Sequence, residues 1–385
     1  MPEPLISPIV KLTSWPGKLT AAAALITLAA GAASIAAPAR AATATATPRA
    51  AVANGYRVPG ELLGVAALAP ANAWAVGYTG SFLNSPKTLI VHWNGRKWLP
   101  VASPKPLPGL LWGIAATSAK NIWAVGFSGT HALVMHYNGS SWSRDTTVPA
   151  VNGELTAVAV SGGTVWATGG LNNPPVLAMR RTAAGWKVVK TPSVTGSLLG
   201  VAVSGGSVWA DGTVSTDATP NLGDTLLHWN GSRFVQASFP LHGSDDNLWG
   251  LAAGPHGILL AVGDHHNANF SGFTPLSMEY SGGSWRKAAV SAPANSTLNA
   301  VGFVPGGGAW AVGSAAAYKS TLVLRWTGSA WSKVASPNPY AGGNYGAAVA
   351  ATSPKDAWLV GGGTTSASSG ALYTFILHWN GRGWS

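Results

Sequence analysis

The chain has 385 residues, only 9% of them charged and 47% hydrophobic, with 19 tryptophans and no cysteine. That much apolar and aromatic material excludes a disordered chain. The missing thiols exclude disulfides, zinc–thiolate sites, a thiol nucleophile and a lipid-anchored cysteine. The formal net charge of +11 contains no Lys/Arg run, so it suits encounter with anionic polymers and gives no dedicated nucleic-acid site.

Residues 1–41 read as a signal peptide. Lys11 and Lys18 form a basic region, residues 19–37 are Ala/Leu/Ile-rich without charge, and Ala39-Arg40-Ala41 offers a small-residue cleavage pattern. Cleavage removes Lys11, Lys18, Arg40 and Glu3, leaves a net charge of +9 and predicts a secreted, extracellular or cell-wall-associated protein with no membrane segment. Residues 42–53 form an Ala/Thr/Pro linker.

From residue 54 to residue 385 one pattern recurs. Its second strand carries a tryptophan in WAVG-like segments at Trp74, Trp123, Trp166, Trp209, Trp310 and Trp358, with Leu260 in the fifth copy; the mean spacing is about 47 residues, within the range of propeller repeats. A third strand ends in an aromatic residue and a turn, as in His92-Trp93-Asn94-Gly95 and His378-Trp379-Asn380-Gly381. Asn-Gly between apolar runs is a strong hairpin signal, because both residues tolerate positive φ. A fourth strand opens at Trp98, Trp142, Trp186, Phe234, Trp285, Trp331 or Trp384. The first strand of each copy is built of small residues, which suits an axis where blades converge. Four short strands, apolar on both faces and repeated seven times, predict an all-β, seven-bladed β-propeller of four-stranded antiparallel blades. The last copy stops at Trp384-Ser385, so residues 52–59 are expected to act as an N-terminal closing strand that completes the seventh blade.

The WAVG and HWNGxxW repeats resemble those of secreted actinobacterial seven-bladed propellers and, more loosely, kelch and sialidase-like BNR propellers. The resemblance covers residues 56–385 and implies an extracytoplasmic propeller. No copy has the S-x-D-x-G-x-x-W Asp-box or the WD signature, so sialidase chemistry is not implied. The chain also lacks G-x-S-x-G, H-E-x-x-H and EF-hand motifs.

In such a fold the second-to-third loops and the blade-to-blade loops share one face, and here they vary in sequence; variable loops on a rigid scaffold are where function concentrates. On that face the fifth copy carries Asp264, His265, His266, Asn267, Asn269 and Phe270, with Asp245 and Asp246 on the preceding connection. Asp211 replaces a valine of the WAVG pattern, and a charge between blades is costly unless it is bonded. The aromatics Tyr78, Phe82, Phe270 and Tyr318 suit ligand stacking. The repeated histidines occupy equivalent places in separate blades and read as structural. Two functions remain open. One is a non-enzymatic binding module that takes a glycan, a cell-wall polymer or an extracellular protein through Tyr78, Phe82, His265, His266, Asn267, Asn269, Phe270 and Tyr318. The other is a glycan-active hydrolase or lyase built on Asp211, Asp245, Asp246, Asp264 and His265. No cofactor and no resident metal are expected, and the chain reads as a monomer.

Overall fold

The computed structural model describes residues 56–101, 104–171, 176–204, 206–215, 223–241, 246–266, 272–367 and 370–385. Seven antiparallel sheets follow one another along the chain, at residues 60–100, 109–144, 153–188, 195–236, 246–287, 297–333 and 343–379. These are the blades of a propeller, numbered 1 to 7 in chain order. Within each blade the antiparallel strands pair in sequence order, and the blade 6 sheet gains a short fifth strand, Ala289–Val290, parallel to its outer strand Ala330–Lys333. The first strands of neighbouring blades touch one another, and that of blade 7 (Gly343–Ser353) touches that of blade 1 (Gly60–Ala69), so the ring is closed.

The packing follows from the binary pattern. Each blade is apolar on both faces, and seven hydrophobic clusters each draw on two consecutive blades, the last joining blade 7 to blade 1. The strand-two tryptophans lie in these seams; Trp166, Trp310 and Trp358 are fully buried. The repeated histidines cover them. His92 stacks on Trp74 with centroids 4.1 Å apart, His136 on Trp123 at 4.0 Å and His378 on Trp358 at 4.3 Å. In blade 1 the Asn72 Oδ1 accepts from the Trp74 indole and meets His92 Nε2, both at 3.0 Å. Asn121 repeats this with Trp123 and His136. Burial lowers the pKa of His92, His136 and His228, which favours the neutral ring.

A second repeated feature is geometric. Every blade has a register break in its first strand, where an extra residue bulges between Leu62 and Gly64 in blade 1, Leu248 and Gly250 in blade 5, and at the equivalent place in the other five. The bulge presses a first-strand carbonyl against the glycine of each WAVG-like segment. A Cβ at Gly77 would lie 1.9 Å from the Glu61 carbonyl, and one at Gly263 1.7 Å from that of Asn247. The repeated glycine is thus the residue that admits the bulge. Bulges bend a strand and re-aim its side chains, and here seven of them ring the mouth of the axis on the loop face.

Blade 7 has three strands in its sheet. Its outer edge receives two short pieces. Val58 donates its N–H to Thr374 Oγ1 and accepts from the Thr374 N–H, each at 3.0 Å, and Pro59 bridges Tyr373. At the other end Ser385 and His378 exchange backbone hydrogen bonds of 3.0 and 2.9 Å. Residues 52–55 of the expected closing strand, the signal segment 1–41 and the linker 42–53 lie outside the described residues.

Candidate functional site

The residues just before each bulge, with their cross-strand partners, face the mouth. In blade 1 this pair is Glu61 and Tyr78, in blade 5 Asn247 and Asp264, and in blade 7 Tyr345 and Gly362. Glu61 is 2% exposed and accepts hydrogen bonds from the hydroxyls of Tyr345 and Tyr78. Burial pushes its carboxyl up to about 7, and the two phenols only partly offset this. Burial and the adjoining carboxylate push both phenols up in turn. In blade 3 Glu154 accepts from the Trp112 indole of blade 2 at 2.8 Å.

Blades 4 and 5 bring together a denser group. Asp246, at the start of the first strand of blade 5 (Asp246–Ala253), accepts from or pairs with His265 Nδ1 at 2.8 Å. Asp264 sits near the end of the second strand (Leu259–His266), is 2% exposed, and accepts from the Trp249 indole at 2.7 Å. Its other oxygen lies 3.1 Å from His266 Nε2 and 3.4 Å from Asn247 Nδ2. Across the seam Asp211 is wholly buried in blade 4. It fits there because its cross-strand partner is Gly200, where a Cβ would lie 2.1 Å from Asp211 Oδ1.

A fourth acid completes the group. Asp224, in the third strand of blade 4 (Gly223–Trp229), stands opposite Thr213 and accepts from the Leu248 backbone N–H of blade 5 at 2.7 Å. Its second oxygen, Oδ2, is shielded and has no hydrogen-bond partner, and the same holds for Thr213 Oγ1. Burial raises the Asp224 pKa well above the carboxylate range; the Leu248 N–H opposes this, while Asp246, Asp211 and Asp264 add to it. Among the described residues no three His, Asp or Glu side chains are grouped so as to hold a metal ion.

The structure corrects several sequence expectations. Tyr78 is not a loop aromatic: the second strand of blade 1 runs from Asn72 to Ser81, beyond its WAVG segment, and carries Tyr78 inward to Glu61 at 1% exposure. Asp264, His265 and His266 also belong to a strand and not to a loop. Phe82 does lie between strands and packs edge-on to Tyr78 at 5.9 Å. Tyr318, in the second-to-third connection of blade 6 at φ 67°, reaches Phe273 at 6.0 Å, and Phe273 reaches His266 at 5.8 Å. Burial and the nearby Asp264 raise the Tyr318 pKa. Asp211, Asp246, Asp264, His265, His266 and Tyr318 therefore fall in one sector, whereas Tyr78 and Phe82 lie in blade 1. Asp245, Asn267, Asn269 and Phe270 lie outside the described residues.

Asp224, Thr213 and Glu61 belong to no sequence motif. A signal for Asp224 was present in the charge pattern. Between Thr191 and Trp285 the sequence has seven of its twelve acidic residues and a single basic one, Arg233. A basic chain thus carries an acidic sector, and Arg233 sits beyond the Asn230-Gly231 turn on the opposite face. A separate cleft between blades 1 and 2 is lined by Tyr56, Pro100, Pro104, Leu111 and Met135 among others, with no charged side chain.

No protein-family profile and no curated protein matches the chain. Solved structures do. One is described as YCF48 bound to D1 peptide: it is 14% identical, with a TM-score of 0.51 over 84% of this chain and 95% of that one. Another is the extracellular domain of the one-component system BT4673 from B. thetaiotaomicron, 11% identical with a TM-score of 0.53 over 84% of this chain and 40% of that one. At these identities the likeness establishes the propeller fold alone.

Proposed function

We propose that the chain is a secreted, monomeric, non-enzymatic propeller that captures an extracellular partner on its loop face, with the mouth of blades 4 and 5 as the contact region. The observation that carries this reading is the concentration of acids there in an otherwise basic protein. Like charges gathered on one patch oppose folding, and such patches persist where a ligand of opposite charge is received. The rigid ring and the loops it displays are the usual arrangement for recognition. The peptide bound by the YCF48 structure and the extracellular placement of the BT4673 domain lend support to this general role. The acidic patch turns the choice away from anionic wall polymers, which the overall charge had favoured, and toward a protein. Neutral glycans remain compatible with the polar loops.

The test is retention of the protein, from Ala42 onward, on purified cell wall, insoluble polysaccharides and immobilised extracellular proteins at low and high salt. Retention on proteins that weakens when the loop face is altered, as in His265→Ala with Asp246→Asn, is expected. Retention governed by salt alone and indifferent to these changes would reduce the interaction to net charge.

One observation favours a second reading, a glycan-active hydrolase or lyase. Burial and the charges of Asp246, Asp211 and Asp264 raise the Asp224 pKa, and a carboxyl kept protonated near other acids is the general-acid arrangement of glycosidases. Release of reducing ends or of unsaturated products from a polysaccharide panel, abolished by Asp224→Asn, would establish it in place of the binding reading.

A further inference from the structure

The seam between blades 4 and 5 holds two buried polar groups with no partner, and they face each other. Thr213 and Asp224 are cross-strand neighbours, so their side chains emerge on one face of the blade. Asp211 lies two residues before Thr213 on the same strand and shares that face. A Cβ at its partner Gly200 would touch Leu251 of blade 5, so the face is the one that meets blade 5. Thr213 is 2% exposed, and neither its Oγ1 nor Asp224 Oδ2 is hydrogen-bonded. Leaving such a group unmet is costly to the fold. The blade 1 counterpart of Asp224 shows what the repeat otherwise puts here. Thr88, opposite Tyr78, has its Oγ1 bonded to the Leu107 N–H at 2.9 Å.

The chemistry of the unmet groups defines what they would receive. Asp224 Oδ2 is an acceptor and Thr213 Oγ1 can accept as well. The field is negative, from Asp211, Asp246 and Asp264, and the basic residues of blades 4 and 5, Arg233, Arg286 and Lys287, lie at or beside the fourth strands. The carboxylates are spread over two blades and are not grouped to close around an ion. A planar guanidinium, with five N–H donors in a fixed fork, suits acceptors that are dispersed in this way. His265 remains half exposed and Asp224 only partly covered, which leaves the group a route from solvent.

We propose that the seam between blades 4 and 5 is a receptor for a guanidinium group, presented as an exposed arginine side chain of a protein partner, with Asp224 and Thr213 supplying its acceptors. This deepens the loop-face binding reading and rests on it for the identity of the partner as a protein.

The direct test is titration of the ¹⁵N-tryptophan-labelled protein with an acetylated Gly-Arg-Gly amide, following the Trp249 indole N–H assigned through Trp249→Phe. Saturable movement of that resonance is expected, with none from the citrulline peptide, which keeps the shape and lacks the charge, and a smaller response to the lysine peptide. Asp224→Asn should weaken the arginine peptide by at least about tenfold, and Thr213→Val, which preserves shape, by roughly threefold. Glu279→Gln, on the opposite face beside Arg286, should leave it unchanged. Equal response to citrulline, or undiminished binding in both Asp224→Asn and Thr213→Val, overturns the proposal. So does movement of the same resonance by calcium chloride alone at micromolar concentration, which would make the seam a metal site. The loop-face reading is tested apart by partner retention. Retention that survives both variants leaves that reading standing and removes the arginine receptor, while arginine binding by a protein that retains no partner removes the reading instead.

Discussion

Where blade 7 meets blade 1, Glu61 lies buried with the hydroxyls of Tyr78 and Tyr345 donated to it. Where blade 4 meets blade 5, Asp224 lies within the field of three more aspartates, with one oxygen bonded to a backbone N–H and the other to nothing. Both seams place a carboxyl with a raised pKa at the same mouth of the same ring. The first supplies the acid's hydrogen bonds from within and so uses it as part of the structure. The second leaves the acid incompletely met and surrounds it with like charge. A buried acid alone is therefore a poor guide to a site; what discriminates is whether its neighbours satisfy it.

The comparison can be broken by substitutions that ought to differ in sign. Glu61→Ala removes the acceptor of two buried phenols and leaves a hole, and should lower the free energy of unfolding by about 3 kcal/mol in urea titrations. A loss under about 1 kcal/mol would mean that the phenols find other partners and that the Glu61 seam is not structural. The pH dependence of stability offers a second check of similar size. The folded value of Glu61 is about 7 against an ordinary 4.5, so the folded state holds that proton more tightly. Its contribution is fully present below pH 4.5 and is lost as pH rises through about 7, a fall of about 3 kcal/mol. Glu61→Gln should flatten the profile between these limits, and a profile identical to that of the parent would remove Glu61 from the account.

Smaller effects sharpen the contrast in blades 4 and 5. Trp249→Phe withdraws the indole donor from Asp264, a hydrogen bond to an ionisable group, and should cost about 2 kcal/mol by thermal or chemical denaturation. Asp224→Asn keeps the acceptor for the Leu248 N–H and removes the repulsion from Asp211, Asp246 and Asp264. It should raise stability at pH 7 by about 1 kcal/mol. The raised pKa of Asp224 means that the parent regains this stability on protonation, so the gain should shrink as pH is lowered. A gain that grows toward low pH would contradict the assignment.

The repeat was legible because its chemistry recurs: tryptophan in the second strand, Asn-Gly after the third, small residues in the first. Seven imperfect copies of a period identify the architecture even where Leu260 or Arg181 breaks the pattern. The bulge was harder to see, since two residues facing one is a matter of register; its trace was the glycine after WAV, which only the structure explains through the pressing carbonyl. Asp211 stood out because it puts a charge where the other copies have valine or, in the third, Thr168. Asp224 did not, because it lies at the start of the third strand, ahead of the repeated segment and in a stretch that differs among the copies, and so had no pattern to violate. Tyr78 was misplaced for a related reason: the second strand continues past the repeated segment, and the sequence motif ends before the strand does.

The most direct test of the difference between the two seams is the unfolding free energy of Asp224→Asn at pH 7, measured beside the parent protein. Stability equal to or above that of the parent, by about 1 kcal/mol, is the expected result, because the acid is held at the expense of the fold. A loss of about 2 kcal/mol or more would show that Asp224 is a structural acid as Glu61 is, and would remove the ground for a recognition site between blades 4 and 5.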